Sequence, residues 1–285
     1  MKRFYLLLSL CVSCHQVCLF AGKFDANADA KMHVSSASTH DKIGNSMEIS
    51  DEERAREIFD NVWNSLSAKN KIKHKKFPTK IIWLSGAPGS GKGTNTASVM
   101  YIMKISGKPI EVSSLLNTPE DRMVKASGNL VNDERVVAIV FEELLRRKYA
   151  NGVVVDGFPR TRIQAMCLKL LAKKLKENEY NKPCSFKVIN FTVSRKTSVA
   201  RQLKRGQDAV EHNKLIESSG SESGTKVPVR ETDLGKNMAE FRYQTYVDKM
   251  RDCLAVLSDM PEYCEISAEG DMETVRNRIY RMLSH

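Results

Sequence analysis

The sequence predicts an α/β fold: a parallel sheet of about five strands flanked by helices. Three observations carry this. Short apolar, β-branched runs recur at 80–84 (KIIWL), 152–156 (GVVVD), 187–193 (KVINFTV) and 263–267 (YCEIS), and a fifth strand is expected near Ile110–Ser113. Stretches with an apolar stripe at helical spacing lie near 92–105, 134–149, 161–177, 195–205, 236–258 and 271–284. The first run also leads directly into a glycine-rich turn, GAPGSGKGT, that opens a helix. Strands apolar on both faces that alternate with helices form parallel sheets covered on both sides.

The elements follow in chain order. Lys2 and Arg3 precede the apolar stretch Phe4–Val12 and small residues at Ala21 and Gly22, the pattern of a secretory leader over 1–22. The stretch is too short for a convincing membrane span. Export to a periplasm, the exterior or an organelle lumen is expected; the alternative is a cytoplasmic chain with its N-terminus uncleaved. Residues 23–76 read as an Ala-, Ser- and Asn-rich linker, one amphipathic helix and a basic connector. Ser50 to Glu53 has the form of a capping box, and Ala55, Ile58, Phe59, Val62, Trp63 and Leu66 recur at helical spacing, so this helix should dock on the main domain at 77–285.

The net charge of +11 suits a polyanionic partner without selecting one. The connector at 69–76 (KNKIKHKK) has no interleaved aromatics to stack bases, so it reads as a solvated face and no nucleic-acid partner is expected. Of seven cysteines, Cys167, Cys184, Cys253 and Cys264 lie outside the leader without a CxxC pair, which argues against a zinc ribbon or a disulfide scaffold. Only an oxidising compartment would allow Cys253 to pair with Cys264. Residues 218–225 (SSGSESGT) read as a flexible insert.

Gly86, Ala87, Pro88, Gly89, Ser90, Gly91, Lys92, Gly93 and Thr94 carry the strongest chemistry. The glycines let successive backbone N–H groups converge on one anion, the helix N-terminus adds partial positive charge, and Lys92 adds a full one. Strand, Gly-x4-Gly-Lys and helix in that order form a phosphate loop. Asp156 ends an apolar strand, where a carboxylate needs a cation or donors. Arg160 can grip phosphate through two N–H groups, and Arg201 and Arg205, one helical turn apart, share a face.

GAPGSGKGT, with Gly93 where Ser or Thr would follow the lysine in the generic loop, closely resembles the phosphate loop of adenylate kinases and other nucleoside-monophosphate kinases. Residues 128–134 (GNLVNDE) resemble that family's GxLVxDE segment, 156–161 its DGFPRT signature, and Gln164-Ala165 the QA that follows. The resemblance covers 80 to about 284. It implies a P-loop NTPase-type sheet with a mobile NMP-binding insert near 109–134 and a lid near 206–231. It further implies transfer of the γ-phosphoryl group of ATP to a nucleoside monophosphate, AMP being the first expectation, with Mg2+ as cofactor and a monomer as the expected state. By resemblance, Lys92 and the loop amides hold the donor and Asp156 meets Mg2+ through water. Arg160 meets the monophosphate, Gln164 reads its base edge, Arg201 stacks on the donor adenine and Arg205 contacts its phosphates. Arg230 and Arg242 clamp both nucleotides during transfer. Ser113, Asn129, Leu130, Val131, Gly157 and Phe158 line the acceptor side, Phe158 as an apolar wall.

Two regions depart from the family pattern. In place of STGDLLR the chain has VSSLLN at 112–117: Ser113 keeps a hydroxyl, but Asn117 stands where a phosphate-gripping arginine is expected. Losing such a contact costs roughly 1.5–3 kcal/mol of acceptor binding, tenfold or more in affinity, unless Arg122 replaces it. The segment before Gly128 is also short, the lid lacks zinc cysteines, and Thr232 replaces the first aspartate of R-x-D-D. These departures leave open a UMP, CMP or other monophosphate kinase, and a catalytically weak nucleotide-binding protein.

Overall fold

A computed structural model of the chain describes residues 49–69, 76–126, 130–177, 184–219 and 225–284. The leader, the linker up to residue 48 and most of the basic connector lie outside these residues. So do Gly128, Asn129 and residues 220–224 of the serine-rich insert.

Five parallel strands form the sheet: β1 (Lys80–Gly86), β2 (Ile110–Glu111), β3 (Val153–Asp156), β4 (Ser185–Thr192) and β5 (Tyr263–Ser267), in the order β2-β3-β1-β4-β5. Register places Leu84 beside Asp156 and Gly86 beside Phe191, so the carboxyl ends of the three inner strands meet at the glycine-rich turn. Successive residues of β1 serve opposite faces, and each after Lys80 is buried. Ile81 and Trp83 join one core with Val153, Val155 and Val188; Ile82 and Leu84 join the other with Val154 and Ile189. Among the described residues, both sides of the strand are thus sealed from water, which explains its unbroken apolar sequence.

Helix α1 (Asp51–Ala68) packs against the first core as its stripe predicts. Its capping box is complete, Ser50 and Glu53 satisfying each other's backbone N–H groups. Phe59 and Trp63 stack at 5.7 Å, and Trp63 stacks on Phe77 at 5.9 Å. On the other face lie α2 (Lys92–Ile102) and α9 (Met272–Leu283). The first face also holds α5 (Asp133–Leu144), α6 (Arg162–Lys176) and α8 (Lys236–Ser258).

Two expectations need correction. The strand near Ile110–Ser113 is only two residues long; the chain turns helical at Val112, as α3 (Val112–Leu115), and α4 (Pro119–Ala126) follows. Helix α7 (Arg195–Ser219) does not stop near 205. It continues through the expected lid because residues 207–219 contain neither Gly nor Pro, while Gly206 serves close packing rather than a break. A Cβ on Gly206 would fall 2.4 Å from the carbonyl oxygen of Asp233. The segment after 225 is pinned back on this helix: the Asn213 side chain bonds both the N–H (2.9 Å) and the C=O (2.8 Å) of Val227. Cys253 and Cys264 are free thiols, Cys253 being fully buried.

Candidate active site

The turn between β1 and α2 has the geometry of an anion cradle. Gly86, Gly89 and Gly91 take φ values of 146°, 72° and 80°, which side-chain-bearing residues rarely adopt. Helix α7 presses on the loop: Ser198 Oγ donates to the Pro88 carbonyl at 2.6 Å, and a Cβ on Gly89 would meet the Ser198 carbonyl at 2.6 Å. Ala87 and Ser90 are buried, the Ser90 hydroxyl without a hydrogen-bond partner among the described residues, whereas Gly93 and Thr94 are exposed at the first turn of α2. Lys92 folds over the loop and donates to the Gly86 carbonyl at 2.5 Å. Desolvation lowers its pKa; Asp156 opposes that shift, and Arg160, Arg205 and Arg242 add to it. Cations from three different parts of the chain therefore act on one ammonium group, a repulsion that a polyanion would relieve.

Asp156 sits half-buried at the end of β3, beside β1. The exposed Arg160 folds back so that Nη2 lies 3.0 Å from where a Cβ on Gly157 would stand. On the lid side, Asp233 is 1% exposed and accepts from Arg205 Nε (2.7 Å), Arg205 Nη2 (3.0 Å) and Arg242 Nη1 (2.8 Å). Thr232 Oγ1 accepts from the same Arg242 nitrogen at 3.1 Å. Arg230 is exposed, and its charge, with that of Arg205, lowers the pKa of Arg242 beneath the larger effect of burial. Arg201 is tied through both terminal nitrogens to the carbonyls of Ala268 (2.9 Å) and Gly270 (2.8 Å).

The sequence pattern of a family described as an AAA domain matches residues 85–215. An adenylate kinase of Pelagibacter ubique (strain HTCC1062) is 26% identical over 215 residues, covering 71% of this chain and 98% of that protein. An adenylate kinase of Elusimicrobium minutum (strain Pei191) is 27% identical over 215 residues, 72% of this chain and 98% of its own. Over about seven tenths of its length the chain is therefore similar to adenylate kinases. It is a nucleotide kinase of the P-loop kind.

Two residues expected on the acceptor side of this kinase are placed otherwise. Phe158 is 1% exposed and packs on Trp83 with ring centroids 5.4 Å apart, so it belongs to the core and walls no cleft. Gln164, 2% exposed, has both ends of its amide engaged: Oε1 accepts from the Arg160 N–H at 2.9 Å, and Nε2 donates to Asp133 Oδ1 at 2.8 Å. A buried amide must satisfy both ends, so this one braces the turn that carries Arg160. Val131 is buried, and Leu130, Ser113, Asn117 and Arg122 are exposed; Asn129 lies outside the described residues.

Sequence reasoning gave no role to Asp133, Asp233 or Ser198, though each holds a predicted residue in place. Asp133 accepts from Thr161 Oγ1 at 2.9 Å as well as from Gln164. Its position inside the GNLVNDE segment was the available signal. Among the described residues no group of three His, Cys, Asp or Glu side chains is placed to hold a metal ion. The half-buried Asp156, at the end of β3 beside β1, suits a hydrated Mg2+, which takes one or two carboxylates, waters and substrate phosphates rather than an all-protein cage.

Proposed function

We propose that this protein transfers the γ-phosphoryl group of MgATP to a nucleoside monophosphate, with AMP the favoured acceptor, so that ATP and AMP become two ADP. The observation that carries the reading is the glycine-rich turn with Lys92 folded over it, in a chain that also brings Arg205 and Arg242 together on the buried Asp233. Two polyanions held end to end need this distribution of charge, because the transferring group stays anionic throughout. Loop amides and Lys92 hold the donor phosphates. Arg201, fixed through its guanidinium edge, offers its faces to the donor base. Arg160 takes the acceptor phosphate, and Arg230 and Arg242 neutralise charge in transit. An acceptor oxygen attacks the γ-phosphorus, the bond to the β,γ-bridging oxygen breaks, and ADP leaves. The acceptor phosphate is already an anionic nucleophile, so no general base is needed. Asp156 would hold Mg2+ through water, and the ion would add neutralisation of the phosphate oxygens.

Asn117 leaves Arg160 short of a partner, and the exposed Arg122 on α4 is the second acceptor cation in this reading. The engaged amide of Gln164 favours one alternative, a different monophosphate such as UMP or CMP, because its base-reading role is then vacant. A coupled assay of ADP formation with AMP, UMP, CMP and GMP in turn tests both. AMP-dependent turnover supports the first reading, preference for a pyrimidine supports the alternative, and ATP binding without turnover on any acceptor leaves only a nucleotide-binding protein. The N-terminal leader is proposed to direct export, which mass spectrometry of the mature N-terminus decides.

A further inference from the structure

Helix α4 contains a buried carboxylate that the phosphotransfer reading does not use. Asp121 is 2% exposed and forms a two-point ion pair with Arg135 of α5, Nε to Oδ1 and Nη2 to Oδ2, both at 2.7 Å. It also closes a reciprocal turn: its Oδ2 accepts from the Thr118 N–H and its own N–H donates to Thr118 Oγ1, both at 3.2 Å. The paired guanidinium holds the Asp121 carboxyl far below the usual carboxylate range. Two parallel N–H···O bonds fix direction as well as distance, so α4 cannot swing away from the first turn of α5 without breaking both.

That same turn of α5 supports the phosphate-gripping loop. Asp133, two residues before Arg135, accepts from Thr161 Oγ1 and Gln164 Nε2, and Gln164 in turn accepts from the Arg160 N–H. Thr161 caps α6 and receives the Gln164 N–H at 3.0 Å. Polar contacts therefore run from Thr118 and Asp121 through Arg135, the N-terminus of α5 and Asp133 to the backbone of Arg160. Asn117 and Arg122 flank the Thr118–Asp121 turn in sequence, so the pair also sets where the acceptor insert stands relative to Arg160.

We propose that Asp121 is a positioning residue for the acceptor nucleotide, acting through Arg135 and the first turn of α5 to hold the acceptor insert against the Arg160 loop. The proposal rests on the phosphotransfer reading for the identity of the acceptor. It concerns chiefly the acceptor: no hydrogen bond of this relay reaches the Gly86–Thr94 loop, which senses Arg160 only through its charge on Lys92, so donor binding should hardly change.

The test compares the full-length wild type with Asp121→Asn, Asp121→Glu, and the exchanged pair Asp121→Arg with Arg135→Asp. AMP and ATP affinities are measured separately by calorimetry, turnover is measured with both substrates, and circular dichroism verifies folding. Asp121→Asn is expected to weaken AMP binding and raise the AMP KM by about tenfold, within the range for misplaced substrate-orienting groups, while ATP affinity is unchanged. Asp121→Glu and the exchanged pair, which keep opposite charges facing, should recover part of the loss. Unchanged AMP affinity in a folded Asp121→Asn protein overturns the proposal, as does an equal loss for AMP and ATP. A wild type without turnover whose AMP affinity still falls on Asp121→Asn would sink the phosphotransfer reading and keep this one. A wild type that binds no monophosphate overturns both.

Discussion

Replacing Asp233 with Asn removes one negative charge from beneath two arginines and leaves the side chain's shape intact. The carboxylate is almost wholly buried and accepts three guanidinium N–H bonds, while Arg205 and Arg242 keep 44% and 30% of their side-chain surface in water. Breaking a fully buried pair costs about 3–5 kcal/mol, but solvent reaches both arginines here, and the Asn oxygen still accepts one bond. A loss of about 2 kcal/mol is the result. Urea unfolding followed by circular dichroism should show a lower midpoint with an unchanged slope. Turnover should fall further than stability suggests, because freed guanidinium groups lose their aim at the phosphates; a decrease of about 10- to 100-fold in kcat is expected. A variant that unfolds at the wild-type urea concentration and keeps kcat within a factor of two would refute the claim that Asp233 organises the lid-side cations.

Other outcomes follow from the same geometry. Gly206→Ala should mimic Asp233→Asn, since the new methyl must displace the backbone under Asp233; overpacking of this kind costs about 1–3 kcal/mol, read as a fall in melting temperature. Lys92→Met removes an ammonium held at a depressed pKa among other cations, so the free protein should melt at or above the wild-type temperature. The same variant should lose the stabilisation that ATP gives, about 2.7 kcal/mol at a hundred times its dissociation constant. Burial pushes the Cys253 thiol from 9.0 up to about 12, so the unfolded chain releases this proton first and stability declines as pH rises from about 9 towards 12. Cys253→Ala should flatten that decline by up to about 1.4 kcal/mol per pH unit, measured by urea titration at stepped pH; an identical slope would count against the burial of this thiol.

The sheet was legible because its signal is local: each strand is a contiguous apolar run, and β1 announces the phosphate loop by leading into it. The docking of α1 was legible for a similar reason, its stripe and capping box both lying within one segment. The continuation of α7 was not, because residues 206–219 are mostly polar and only Ser198, Val199, Gln202 and Gly206 of the helix are buried. Helical propensity there persists without a stripe to reveal it. The cations of the site could be listed from sequence, but their organisers could not. Asp233 meets Arg205 across 28 residues and Asp121 meets Arg135 across 14, and no spacing rule links such partners. Phe158 and Gln164 show the converse error. A motif suggested contact with substrate, whereas an aromatic next to buried Trp83 and an amide between Asp133 and the Arg160 N–H complete the fold first.

Titration calorimetry with ATP, with AMP and with a bisubstrate dinucleoside pentaphosphate examines most directly whether two nucleotides lie end to end across the loop. One molecule of the bisubstrate ligand per chain, bound at least about a hundredfold more tightly than ATP because it spans both subsites, is the predicted result. Binding no tighter than that of ATP, with AMP failing to compete, would mean a single nucleotide pocket and would contradict the account.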